Sequence, residues 1–192
     1  VYKRQDLYYT FFPIVVDNCW CLNNGFDKGN ANGFKMGGCK QGGTSTGAHV
    51  FKNCIAAFHA KKGFDQNHHR EGSYLINDLS FENGVNYGYN MEAPDLGNWV
   101  LRNCVGFGSE RNHQFDILPR VKSSPWTDLD NVNPLSDRDG GEGNIKTIAD
   151  YTSEYEDLTY QTGISARQDN GELPLKFGRL RAGSKLIDAG TP

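Results

Sequence analysis

The 192 residues hold no apolar run of membrane-spanning length, which argues against a helical membrane span. Long runs of strong helix formers are scarce, which argues against a helical bundle. No basic block stands out against a net charge of −3, so neither nucleic acid nor an anionic membrane is an expected partner. A serine-centred triad, a phosphate-cradling loop and a dinucleotide fingerprint are all missing. Gly37-Gly38 and Gly42-Gly43 lack the lysine-serine or strand-helix context those motifs need. An initiator methionine and a signal peptide are missing too. The chain opens at Val1-Tyr2-Lys3-Arg4-Gln5 and is expected to be a fragment whose front is missing or altered, so no targeting segment tells its location.

What remains is rich in glycine and aromatics, with 23 Gly, 9 Tyr and 11 Phe in a chain that is 37% hydrophobic. That mixture suits many short strands and turns within a single domain over residues 1–192. Self-similarity decides how those strands are arranged. Four segments align on an asparagine, at Asn18, Asn53, Asn77 and Asn103, with spacings of 35, 24 and 26 residues. Two residues before it stand Val16, Phe51, Leu75 and Leu101, and two after it Trp20, Ile55, Leu79 and Val105. Asparagine tolerates the left-handed backbone region and so turns the chain between two strands. A period of about 24 residues with short strands and turn asparagines describes one coil of a parallel β-helix, an all-β solenoid. Leucine-rich repeats would show a regular leucine framework, and a propeller blade would need nearly twice the length.

The coils are expected over about 6–118. A polar, proline-containing surface excursion should follow from 119, and Arg179 to Gly190 should cap the open end of the stack. A second, aromatic column reads Phe34, Phe64, Tyr89 and Phe115. The residues after it, Lys35, Asp65, Asn90 and Asp116, are expected to face outward. The first coil is 11 residues longer than the second, and its insertions near 26–30 and 39–44 flank Lys35. Loops on both sides of one outward lysine would wall a cleft.

Cys19, Cys54 and Cys104 follow the turn asparagines, with Asp78 in the same place, and read as a ladder of small half-buried side chains. Cys21 and Cys39 can pair only if their loops meet. His68 and His69 are adjacent, a poor spacing for joint metal ligation, and read as a solvated turn. Asp65, Gln66, Asn67 and Arg70 lie one coil from Lys35 and are the candidate ligand contacts, an arginine being able to grip a carboxylate with two hydrogen bonds.

Three stretches, Asn32-Gly-Phe-Lys-Met-Gly-Gly38, His49-Val-Phe-Lys-Asn-Cys54 and Lys62-Gly-Phe-Asp-Gln-Asn67, together resemble the pectate lyases of polysaccharide lyase family 9. Ala166 to Pro174 and Gly183 to Gly190 are similar to that family's tail. The resemblance implies a right-handed parallel β-helix that cleaves galacturonate-containing polysaccharide of plant cell walls, homogalacturonan or rhamnogalacturonan, by calcium-assisted β-elimination. It implies Lys35 as the general base, Asp6 as a calcium ligand one coil earlier, and a monomer that is secreted, periplasmic or at the cell surface. The family's aspartate cluster is otherwise replaced here by Lys3, Arg4 and Gln5. A non-catalytic carbohydrate-binding or structural β-helix would keep the coil stack and polar face without a working base.

Overall fold

The computed structural model describes residues 5–6, 12–25, 31–37, 47–67, 69, 73–89, 99–108, 111–115, 126–129 and 150–187. For residues 5–6, 89, 99, 111–115 and 126–129 the backbone alone is described. Within these, fourteen strands form three sheets in which every neighbouring pair is parallel. The first sheet stacks β1 (Gln5–Asp6), β4 (Phe34–Lys35), β7 (Lys62–Asp65), β10 (Val85–Tyr89) and β13 (Arg111–Phe115) in chain order. The second stacks β2 (Val15–Asp17), β5 (His49–Lys52), β8 (Ser73–Ile76), β11 (Trp99–Arg102) and β14 (Trp126–Leu129). The third stacks β3 (Trp20–Leu22), β6 (Ile55–Ala57), β9 (Leu79–Phe81) and β12 (Val105–Phe107). Each of the first four coils contributes one strand to each sheet, and β13 and β14 begin a fifth, which is the expected β-helix.

The turn asparagines explain the repeat. Asn18, Asn53, Asn77 and Asn103 all sit at positive φ, between 51° and 56°, where asparagine is less penalised than bulkier residues. Their amides continue the stack: Asn53 Nδ2 donates to Asp17 Oδ1 at 3.0 Å and Asn77 Nδ2 to Asn53 Oδ1 at 3.4 Å. A second column at positive φ follows the third sheet, at Asn23, Phe58, Glu82 and Gly108. Its residue types differ from coil to coil, so no sequence repeat betrays it.

Inside the coils Phe34 stacks on Phe64 (ring centroids 5.1 Å apart) and Phe64 on Tyr87 (5.4 Å), with Phe51 edge-on to Phe34. Leu75 and Leu101 continue the Phe51 column, and all six side chains are fully buried. The third sheet turns only small side chains inward, among them Cys21, Ala56 and Ser80, which leaves room for the rings. Cys54, Asp78 and Cys104 are buried rather than half-buried. Burial holds the Asp78 carboxyl well above the usual carboxylate range and pushes the Cys54 thiol up to about 12.

Three expectations need correction. The aromatic column passes through Tyr87 and His113, not Tyr89 and Phe115, because Phe64 pairs with Tyr87 and Tyr87 with His113. Gly88 therefore follows Asp65 in the outward column, and the register sets Gln114 opposite Gly88, in place of Asn90 and Asp116. Second, β14 pairs with β11, so the stack continues to Leu129, beyond the expected end near 118. Third, the described C-terminal segment, 150–187, is not an end cap. It lies along the outer face of the third sheet. Trp20, Leu22, Ile55, Leu79, Phe81, Val105 and Phe107 point away from the coil interior and are covered by Tyr151, Tyr155, Leu158, Phe177, Leu180 and Leu186. Phe177 meets Trp20 at 5.0 Å, Tyr151 stacks on Phe107 at 4.8 Å, and the Asn23 amide donates to the Tyr160 hydroxyl. The strap spans the four coils of the third sheet because each presents apolar side chains that would otherwise meet water.

Candidate active site

Lys35 is held between Phe34 and Met36, both fully buried in the core, so the strand's alternation turns the lysine to the outer face of the first sheet. It is nevertheless only 8% exposed. An outward lysine that water barely reaches sits in a recess. The insertions expected to wall it, 26–30 and 39–44, lie outside the described residues.

Strand register assembles a column across three coils. Asp6 pairs with Lys35 and Lys35 with Asp65, one strand spacing of about 4.8 Å apart. Asp6 is thus one coil before Lys35, as expected, although its side chain is outside the described residues. Asp65 is 3% exposed, and both its oxygens are engaged away from Lys35. Asn32 Nδ2 donates to Oδ2 at 2.6 Å, and Lys62 Nζ meets Oδ1 at 3.1 Å. Among the described residues none pairs with the Lys35 amine.

The other expected contacts are also committed to the protein. Gln66 is 1% exposed and its amide donates to the His69 carbonyl at 2.6 Å. The Asn67 amide donates to the Gly37 carbonyl, tying the loop after β7 to the end of the Lys35 strand. The side-chain hydrogen bonds described for these three residues thus run to protein groups. Arg70 lies outside the described residues. His69 is not part of a solvated turn: it is 1% exposed and stacks on His49 with ring centroids 4.4 Å apart. Burial lowers the His49 pKa. Cys21 is buried and accepts a contact from the Asn24 amide at 3.3 Å, while Cys39 lies outside the described residues.

Sequence reasoning missed the supports of this column. Asn32 and Lys62 stand three residues before Lys35 and Asp65, and only register reveals that they converge on one carboxylate. Behind them runs a buried polar corner. His59 accepts from the Asn24 backbone at Nδ1 (3.0 Å), its Nε2 meets the Cys21 carbonyl (3.0 Å), and its own N–H donates to Asn83 Oδ1 (3.0 Å). The Asn24 amide then donates to the Asn32 carbonyl at 2.8 Å. Gly33 is required here, because a Cβ would lie 2.5 Å from His59 Nε2 and from the Gly63 carbonyl.

A calcium ion takes about six to eight oxygen ligands. Asp6 is the right donor type, but among the described residues no group of three or more His, Cys, Asp or Glu could hold a metal, and Asp65 is already engaged. The described residues alone do not make a calcium site.

Residues 5–112 match the family model described as a Pel9A-like, right-handed β-helix region. Pectate lyase L of Dickeya chrysanthemi is 30% identical over 195 residues, covering 97% of this chain and 40% of that protein. Pectate lyase L of Dickeya dadantii is 28% identical over 202 residues, with the same coverage. The chain thus spans about two fifths of the length of these curated relatives. Among solved structures, pectate lyase Pel9A superposes with a TM-score of 0.72 at 28% identity, covering 98% of this chain and 45% of that one. A rhamnogalacturonan lyase superposes at 0.68 and 23% identity, covering 95% and 45%, a likeness of fold alone.

Proposed function

Because the chain belongs to the Pel9A-like right-handed β-helix family, we propose that it is a polysaccharide lyase acting on galacturonate-containing pectic polysaccharide, with Lys35 as general base. The observation that carries this reading is the outward but buried Lys35, unpaired among the described residues, with the Asp65 carboxylate already engaged. A lysine accepts a proton only in its neutral form, and an ion-pair partner would hold it charged. Among the described residues no such ion pair occupies the Lys35 amine, which supports the reading.

In the proposed reaction the Lys35 amine takes the proton from the sugar carbon next to the uronate carboxylate. The bond from the adjacent carbon to the glycosidic oxygen breaks, a double bond forms between the two carbons, and the departing oxygen takes a proton from solvent. Calcium, when bound, would stabilise the negative charge that gathers on the carboxylate. Asp6 is the one ligand proposed from this chain. Arg70 is proposed to grip a substrate carboxylate, and Asp65, Gln66 and Asn67 to hold the recess in shape. Among the described residues no helix is long and apolar enough to cross a membrane. Secretion and a monomeric state are part of the same proposal.

The test is formation of unsaturated product from polygalacturonate and from rhamnogalacturonan, followed by the ultraviolet absorbance of the new double bond. Lys35→Ala should abolish it while leaving polysaccharide binding. Lys35→Arg should be nearly as inactive, because arginine stays protonated. Full elimination by Lys35→Ala would remove Lys35 from the chemistry. Binding without elimination by the unaltered protein would favour a carbohydrate-binding β-helix.

A further inference from the structure

Two successive parallel coils bring Lys35 and Asp65 side by side on the outer face of one sheet. Opposite charges at directly paired positions ordinarily attract. An ion pair between them would occupy the amine that the proposed reaction needs. The structure shows a different pairing. Asp65 has one oxygen on the Asn32 amide at 2.6 Å and the other on the Lys62 ammonium at 3.1 Å, with the Lys62 and Asp65 side chains 14% and 5% exposed.

Gly88 makes this pairing possible. It is the next residue of the outward column after Asp65, and the stem of Lys62 lies over it. A Cβ at position 88 would fall 2.8 Å from Lys62 Cε and 3.2 Å from Cγ, so any side chain there displaces the stem. Asn32 is set from the other side. Its Oδ1 accepts from the Lys62 backbone at 3.3 Å, and its carbonyl is held by Asn24. Two independent elements thus turn one carboxylate away from the lysine beside it.

We infer that Lys62 and Asn32 are positioning residues that act through Asp65, keeping its carboxylate off the Lys35 amine so that the amine stays available to the substrate. The inference rests on Lys35 being the base. Substrate contact by Lys62 plays no part in it. Removing Lys62 should free an Asp65 oxygen to capture Lys35, and neutralising Asp65 in the same molecule should release Lys35 again.

The test compares the unaltered protein with Lys62→Met, the double variant Lys62→Met/Asp65→Asn, and Gly88→Ala, which displaces the Lys62 stem while keeping its charge. Two readouts are taken. One is kcat and KM for elimination on the polysaccharide the unaltered protein cleaves. The other, without substrate, is the rate of reductive methylation of Lys35, read peptide by peptide by mass spectrometry. Lys62→Met and Gly88→Ala should each lower kcat about tenfold with KM little changed. Both should slow methylation of Lys35, and the double variant should recover most of both losses. Unchanged methylation in Lys62→Met and Gly88→Ala, or a double variant no better than Lys62→Met, would overturn the inference. Full elimination by Lys35→Ala would instead overturn the base assignment, and the methylation rates would still report whether Asp65 captures Lys35.

Discussion

Acid should destabilise this protein through one buried imidazole, His59. It is 2% exposed, and both ring nitrogens are used: Nδ1 accepts from the Asn24 N–H, so the proton resides on Nε2 and is donated to the Cys21 carbonyl. A second proton would have to enter at Nδ1, against that N–H. Burial lowers the pKa to about 4 from an ordinary 6.5, with the Cys21 carbonyl opposing the shift. Above pH 6.5 the ring is neutral in both folded and unfolded chains and contributes no pH dependence. Below 6.5 the unfolded chain takes up a proton that the folded one refuses, so stability falls as pH falls. Each pH unit costs about 1.4 kcal/mol, and the loss by pH 4 is on the order of 3 kcal/mol. The assay is urea unfolding at pH 7 and pH 4.5, run on the unaltered protein and on His59→Asn. Asparagine already stands at the matching place in the coils on either side, as Asn24 and Asn83, so the variant keeps the ladder's character. His49, whose pKa burial also lowers, is present in both proteins and cancels in the difference. The unaltered protein should lose about 2–3 kcal/mol more than His59→Asn between the two pH values. Equal losses would refute the assignment.

Phe177→Ala tests the strap. The ring is 2% exposed against Trp20 and Phe81, so its truncation should cost about 3–5 kcal/mol. The melting temperature should drop by at least about 6 °C, and a smaller change in calorimetry would mean that the strap is not part of the cooperative unit. For the metal, a calcium chelator should stop elimination and added calcium restore it, with Asp6→Ala raising the calcium needed. Undiminished turnover in chelator would take calcium out of the reaction.

The turn asparagines and their apolar flanks were legible in the sequence because each coil must reverse its backbone at the same place and bury the same positions. A left-handed asparagine at the same place in each coil, with hydrophobic side chains two before and two after, is a pattern that stacking enforces. Lys35 was legible for the same reason: alternation between Phe34 and Met36 leaves it no inward choice. The third coil shows where this logic stops. Tyr87 and Tyr89 lie two apart on one strand, and a period of two puts them on the same face, so counting residues cannot say which one stacks on Phe64.

Tertiary structure decided the rest. Trp20, Ile55, Leu79 and Val105 are apolar in every coil, yet only the folded strap shows that they face outward and what covers them. A strip buried on both faces carries no alternation to read. The fate of Asp65, Gln66 and Asn67 was equally hidden. Their residue types advertise hydrogen bonding but not the partner, and that partner comes from segments about 30 residues earlier or from the turn that follows. The sequence by itself thus determined the coil and the lysine at its face. The contacts that engage Asp65 and leave the Lys35 amine unpaired among the described residues depend on how neighbouring coils register, which only the assembled stack specifies.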